Sequence, residues 1–526
     1  MRRFRTNAAI VLGMVALAIA GSAAAQGGAA SPGRLLGEVI DRITTNYVDT
    51  VPRDSVFIKA ARGLISQLGD PYAQLFSPAE LASFTRNTIG DRYGGLGMSV
   101  ESHDSGTYVV RVFDGSPGAK LGIRPGDRID AVDGTEVRGF SLDQVTSRTT
   151  GRVGTNLTLR IHSARTGTSR TVQATRALVH APAVPFPMML EQGIGYVPLQ
   201  RFSGTSPDEV RQAIAELKGA GATRFILDLR GNGGGELDAA EGVSQVFLKR
   251  GQSIVSIRHR GQPEDVRVAT IDGESLNEPL VILVDGGTAS ASEIVSGALQ
   301  DHDRAVVIGT TTFGKGLVQG VYRLEGGWAL KMTTGKWYTP SGRLIQREYR
   351  MNENGQFEEV LPDSIETDSV RRSRPVFHSA SGRPVYGGGG ITPDMIVSPD
   401  TLSTPEQRLL GALNRTGTRV SNGIFAVALR HLETTKPAFV VPDTWGDTLY
   451  REFSRRGIEV ERPVFDAGAS LVTRLLDRRL ASLAHGDSVV VRHSLAYDPQ
   501  LRRAIDLLRG ASTTAALFAR TARTTG

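Results

Sequence analysis

Between residues 194 and 308 the chain alternates short, almost wholly apolar runs with amphipathic stretches of helix length. "IGYVPL" is followed by a helical pattern over 207–217 and then by "RFILDL"; a second unit has an apolar run over 280–284, a helical pattern over 289–300 and another run over 305–308. Runs this short and this apolar read as strands buried on both faces. Strand–helix–strand order makes them parallel neighbours joined by right-handed crossovers. An α/β core is therefore expected, with Thr205 or Ser206 capping the first of its helices. After Gly316 the period changes, and "LVQGVYRL" and "WALKMTT" read as a hairpin turned at Glu325, Gly326 and Gly327.

That core is one unit of several, because 526 residues exceed an ordinary single domain. Over residues 84–178 the texture is short strands and glycine-rich turns: "YGGLGMSV", a strand over 108–112, "SPGAKLGIRPGDRIDAVDG", a short helix near 141–149, then "GTNLTLRI". Gly94, Gly95 and Gly97 free a loop whose backbone N–H groups can converge on an anion. A carboxylate held there, beside an exposed strand edge, is how a sheet captures a peptide C-terminus by strand addition. Ahead of this region, residues 34–83 form a helical segment expected to pack on something larger. Leu36, Val39, Ile40, Ile43 and Tyr47, then Phe57, Ala60, Ala61, Leu64 and Leu68, fall at helical spacing. Asp54 or Ser55 is the expected cap of the second helix and Asp70-Pro71 its end. Within a core segment of 179–400, residues 351–384 form a polar, acid-rich insertion, after which "YGGGGITPD" closes the segment. Residues 401–526 read as a separate helical extension, with amphipathic patterns over 469–483 and 501–508 and no visible chemistry.

Residues 1–25 have the order of a secretory signal peptide: Arg2, Arg3 and Arg5, an apolar run of 13 residues from Ala8 to Ala20, then Ala23, Ala24 and Ala25. The run is short for a membrane span, which needs about 20 residues. The expected location is extracytoplasmic, periplasmic or beyond, with inner-membrane attachment if the leader is retained. The absence of cysteine excludes disulfides, thiol catalysis and cysteine-ligated zinc. A net charge of +7 with no basic run interleaved with aromatics gives nucleic-acid binding no support.

"VILVDGGTASASEIVSGALQD" puts a serine pair where a buried strand gives way to a helix. Ligands bind at strand ends in open α/β sheets, and a helix N-terminus offers unpaired N–H groups to a developing oxyanion. Capping is nonetheless the commonest job for serine at a helix start, so position alone leaves both readings of Ser290 open. A serine nucleophile needs a base, and none of the histidines sits in a patterned context. "TTFGKGLVQG" offers Lys315 between Gly314 and Gly316, which permit tight packing around it. Lysine serves as a base only if burial lowers its pKa from about 10.4 toward about 7–8. Gln319, four residues on, shares its face in a strand and can orient the amine. A phosphate loop is excluded because Gly316 follows the lysine. "LRGNGGGE" fails the dinucleotide pattern at Glu236, and Ser290 is followed three residues later by Glu293, not lysine.

With "TASASEIVSGALQD", "TFGKGLVQ", "LDLRGNGGG" and "GGITPD" in order, and "SPGAKLGIRPGDRI" ahead of them, the chain resembles the carboxyl-terminal processing (tail-specific) proteases over about residues 35–398. The resemblance implies a multidomain α/β protein: a crotonase-like core, an inserted β-rich PDZ domain, and helical segments at both ends. It implies a serine endopeptidase with no metal or cofactor, acting on exported proteins with free, nonpolar C-termini. By position Ser290 is the nucleophile, Lys315 the base and Gln319 the residue that orients it. The N–H groups of Ala291 and Gly234 form the oxyanion hole, and Asp228, Arg230 and Asn232 shape its loop. Gly95, Leu96, Gly97 and Met98 bind the substrate tail, with the Leu96 and Met98 side chains receiving its last residue. Asp301 matches an aspartate sometimes counted as essential. Eleven residues along a helix put it about 16 Å from Ser290, so a structural role is expected. An adaptor protein and a dimer are compatible with the resemblance. The rival readings are a non-catalytic PDZ scaffold that binds protein C-termini and an acyl-CoA enzyme of the same fold.

Overall fold

A computed structural model describes residues 31–85, 92–351, 357–359, 370–371 and 373–524. The leader assigned to residues 1–25 and much of the 351–384 insertion lie outside them. Two compact units emerge, one of residues up to 76 together with 321–332, the other of the remainder.

In the first unit, helices Pro32–Asn46 and Arg53–Ser66 lead to the strand Gln74–Phe76, which pairs antiparallel with residues 329–331. Neither expected cap is used. Pro52 occupies the cap position, and Asp54 falls inside the first turn, where its charge favours the helix N-terminus. The second helix stops at Ser66, short of Asp70. Ile40 is buried, but Leu35, Leu36, Val39, Ile43 and Tyr47 are exposed, so the apolar stripe of the first helix is largely uncovered.

The second unit begins with the PDZ-type region. Antiparallel strands Met98–His103, Gly106–Val112, Arg128–Val132, Asn156–His162 and Ser169–Thr175 form one sheet. Its core holds Leu96, Val109, Ile129, Val145, Leu159 and Ile161. The helix Leu142–Thr149 starts as its sequence asks: Ser141 Oγ accepts the Gln144 N–H, and Gln144 Oε1 accepts the Ser141 N–H.

The protease-type sheet has the strand order β1 (Met188–Glu191), β2 (Ile194–Pro198), β3 (Arg224–Asp228), β4 (Leu280–Val284), β5 (Val306–Gly309) and β6 (Met395–Ile396). β2 through β6 are parallel, as the apolar runs require, and β1 is an antiparallel edge. Alternate residues serve opposite faces. Val197, Phe225, Leu227, Ile282 and Val307 pack against the helices α1 (Ser206–Gly219), α2 (Leu237–Gln245) and α3 (Ala291–Asp301). Tyr196, Ile226, Val281, Leu283 and Ile308 face the other way. They are covered by Leu501, Ala504, Ile505 and Leu508, and by Leu517 further along.

Those covering residues belong to the extension, with helices α4 (Ala469–His485), α5 (Asp487–Ser494) and α6 (Pro499–Arg509) among others. Each large apolar side chain fully buried in this way is worth about 1.5–3 kcal/mol relative to exposure. The extension is therefore part of the core and not a separate lobe. It also grips the PDZ-type sheet: the His103 ring stacks on Phe425 at 3.7 Å between centroids, and Arg479 of α4 pairs with Glu101. Within and beside the insertion, two short hairpins are formed: Tyr349–Met351 with Phe357–Glu359, and Val376–His378 with Pro384–Tyr386.

Candidate active site

The loops after β3 and β4 lie side by side at the strand ends. Asp285 Oδ1 accepts the N–H of Gly231 and of Gly287, each at 2.9 Å. Thr288 Oγ1 donates to Leu229 O, and Ala289 N–H and Ser292 Oγ both donate to Asn232 O. Ser292 is thus buried and committed, whereas its neighbour Ser290 is half-buried. Ser290 caps α3 with φ 56° and ψ −115°. Among the described non-glycine residues only Asp133 and Asp303 share its positive φ. Such a conformation costs about 1–3 kcal/mol and persists only where the surroundings enforce it.

The enforcing group is Glu293, one turn into α3 and fully buried. Its Oε2 accepts the N–H of Ser290 at 2.7 Å and of Lys315 at 2.9 Å; its Oε1 accepts the Gly314 N–H at 2.7 Å and the Thr312 hydroxyl at 2.5 Å. Burial pushes the carboxyl above its usual range, and the donated hydrogen bonds oppose that. All four partners donate, which suits an ionised carboxylate. Since the Ser290 and Lys315 nitrogens hang on one oxygen, they can be no further apart than the sum of its two bonds. Thr312 Oγ1 in turn accepts the Ile391 N–H at 2.6 Å. That explains "GGIT" behind the site: a Cβ on Gly390 would come within 2.4 Å of Thr312 O.

Lys315 precedes the strand Leu317–Arg323 and is half-buried. Its carbonyl accepts from Trp337 Nε1 at 3.1 Å, and its Nζ donates to Gln319 Oε1 at 3.3 Å. The flanking glycines are sterically required. An added Cβ would meet Arg347 Cβ and Gly390 N at 3.0 Å from Gly314, and Gln346 N at 2.9 Å from Gly316.

Gly234 lies directly against Ser290, with its N–H donating to Asn232 Oδ1 at 2.9 Å. Asn232 Nδ2 donates to Leu199 O. Ala291 is the first residue of α3, where a backbone N–H has no acceptor within the helix. Arg230 spans Asp228 on one side and Asp498 with Gln500 on the other. Burial works against its charge, but Asp228 and Asp498 outweigh that and raise its pKa. Asp301 sits at the far end of α3, buried against Arg343 and accepting the Ser341 N–H.

In the PDZ-type region, Gly97 has φ 73°, and a Cβ there would lie 2.2 Å from Ser116 Cβ. Leu96 differs from expectation: it is 2% exposed and packs in the domain core. Its side chain is spent on that core, and its carbonyl accepts the Gly118 N–H at 2.7 Å. Met98 is half-buried beside it. Sequence reasoning missed Glu293, Thr312 and Trp337, and also Asp498 and Gln500 from the extension. Glu293 had a readable signal, since serine followed three residues later by glutamate is a capping-box spacing.

The model of "Peptidase family S41" matches residues 193–358, and that of "PDZ domain" matches residues 88–162. The carboxy-terminal-processing protease of Bartonella bacilliformis is 37% identical over 316 residues, which are 59% of this chain and 71% of that protein. The carboxy-terminal processing protease CtpA of Bacillus subtilis is 32% identical over 313 residues, 60% of this chain and 66% of that one. Among solved structures, the photosystem II D1 C-terminal processing protease aligns at 28% identity over 64% of this chain and 94% of its own, with a TM-score of 0.34. Ser290, Lys315, Gln319 and Gly234 all lie within the matched peptidase segment. With the peptidase and PDZ segments matched and 37% identity over 71% of the Bartonella protein, the chain belongs to the carboxy-terminal processing proteases and is a serine-type peptidase.

Proposed function

We propose that the protein is an endopeptidase of exported proteins that selects substrates by their C-terminal tail and cuts with a Ser290–Lys315 dyad on a crotonase-type core. The observation that carries this reading is the shared carboxylate: Glu293 Oε2 holds the backbone N–H of both residues. Ser290 Oγ attacks the scissile carbonyl carbon, and its proton passes to the neutral Lys315 amine. The tetrahedral oxyanion is met by the N–H of Ala291, then by that of Gly234 as its bond to Asn232 Oδ1 is exchanged for substrate. Lys315 returns the proton to the leaving amine, and water, deprotonated by Lys315, releases the acyl group from Ser290. Gln319 keeps the amine aimed. Exported location rests on the leader at residues 1–25.

The test is to trap the intermediate. Acid quenching during the first turnover and mass spectrometry should find the N-terminal half of the substrate esterified to Ser290, with no such adduct in Ser290→Ala. An adduct on any other residue overturns the assignment.

Tail selection is assigned to the backbone of Gly95, Leu96 and Gly97, with Met98 beside it. Charge-assisted hydrogen bonds to a carboxylate are worth about 1.5–3 kcal/mol each. Amidating the C-terminus of a peptide substrate should accordingly lower kcat/KM by about tenfold or more. Equal cleavage of amidated and free peptides would remove the PDZ domain from substrate selection.

A further inference from the structure

Arg230 stands between the end of β3 and Gly234, and its guanidinium is used on both sides. Nε bonds Asp228 Oδ1 and Oδ2 at 3.0 and 3.1 Å, and Nη2 bonds Asp228 Oδ2 at 2.6 Å. Nη1 is held by Asp498 Oδ1 and Oδ2 at 3.0 and 2.8 Å and by Gln500 Oε1 at 3.2 Å. The other anchors of this loop, among them Asp285 to Gly231, Thr288 to Leu229, and Leu199, Ala289 and Ser292 to Asn232, come from the protease sheet and its loops. Among the described residues, the Nη1 anchors are the ones that come from the extension. Gln500 is itself fixed, donating to Val397 O at 2.8 Å, and Asp498 also accepts the Leu501 N–H as the cap of α6.

We infer that Asp498, seconded by Gln500, is a positioning residue for the oxyanion loop: it acts on catalysis through Arg230 and never touches substrate. This rests on the proposed roles of Ser290 and Gly234. A planar guanidinium gripped on one edge alone can swing about Asp228, carrying residues 229–231 and then Gly234 with it. Gripped on both edges it cannot. The site is not sealed in a way that would make the grip redundant. Arg230, Asp285, Asp498 and Gln500 line a cleft of about 630 Å³ whose far wall includes Leu471 and Leu475 of α4. Once the Asp498 carboxylate is gone, the Nη1 edge keeps only the longer bond to Gln500 Oε1 at 3.2 Å and borders that cleft. A displacement of this kind lowers turnover more than binding, because the loop matters most when the oxyanion forms.

The experiment uses the full chain and a peptide with a free C-terminus. Asp498→Ser keeps a good cap for α6 but is too short to reach Arg230. We expect kcat to fall about tenfold or more, KM to stay within about twofold, and the melting temperature to move little. Asp498→Asn, which keeps the shape and loses the charge, should fall between this variant and the wild type. It supplies the same readout should the serine variant fold poorly. In the double variant Arg230→Ala/Asp498→Ser the loss should not exceed that of Arg230→Ala alone. Wild-type kcat in Asp498→Ser, or full additivity in the double variant, overturns the inference. Ser290→Ala in the same assay separates the two questions: if it still cleaves, the dyad reading has failed and not the role of Asp498.

Discussion

Glu293→Gln is expected to reduce kcat/KM by about a thousandfold or more in a chain that still folds. The carboxylate receives four donors and gives none, so both oxygens are fully used. An amide of the same shape presents one oxygen and one NH₂. Turned toward Ser290 and Lys315, its NH₂ leaves two backbone N–H groups unpaired in a buried site, at about 1–3 kcal/mol each; turned the other way, the Thr312 hydroxyl can rotate to accept, but the Gly314 N–H is left unpaired. The backbone answers by moving, and what moves is either the Ser290 N–H with the Lys315 N–H or the Thr312–Gly314 segment beside them. A misplacement of about 1 Å between reacting groups costs on the order of a hundredfold, and in the proposed dyad this carboxylate positions the backbone of both members. Glu293→Asp keeps the charge but is one methylene short, and should retain more activity than the glutamine variant. Turnover and melting temperature measured together check this. A glutamine variant with wild-type turnover would show that the carboxylate does not set the dyad.

Gly234→Ala is the second large effect, with an expected loss in kcat of about a hundredfold to a thousandfold, the range for loss of one oxyanion donor. Its methyl group would fall 2.7 Å from Ala289 O, 2.9 Å from Ala291 N and 2.9 Å from Ser290 Cβ. None of these is the free end of a flexible side chain, so the loop or Ser290 must give way. The φ of 96° adds a conformational cost that alanine bears and glycine does not. Gly233 supplies the internal comparison. It is adjacent, lacks a positive φ, and has nothing within 4 Å of an added Cβ. Gly233→Ala should lose far less. Equal losses at the two positions would mean that the loop tolerates no change of any kind and that contact with Ser290 is not the cause.

What the sequence disclosed and what it hid divide along physical lines. Parallel strands were legible because burial on both faces leaves an unbroken apolar run, as in residues 280–284. The demand for glycine on either side of Lys315 was legible because small residues mark close backbone approach. The cap of the second helix was misjudged because Asp54 and Ser55 are good caps that the chain passes over, with Pro52 setting the start two residues before Asp54. Leu96 was misjudged because an apolar residue in a binding loop looks the same in sequence whether it faces ligand or core. Glu293 was seen only as the residue that breaks a lysine motif. Its reach to Gly314 and Lys315 depends on how two distant segments are brought together. Asp498 was the least legible of all. As a helix cap before proline it has a sufficient local explanation, and nothing in its neighbourhood points to Arg230.

The cover on the second face of the protease sheet has a consequence for how the chain matures. Ribosomes make Ser290 and Lys315 well before they make Leu501, Ala504, Ile505, Leu508 and Leu517, which shield Tyr196, Ile226, Val281, Leu283 and Ile308. A nascent polypeptide that has reached the "GGITPD" segment thus holds the whole catalytic vocabulary on a sheet with one bare greasy side. Such a sheet presents a continuous apolar surface to water. The apolar cover over that face is therefore complete only once residues 499–517 have been added to the chain.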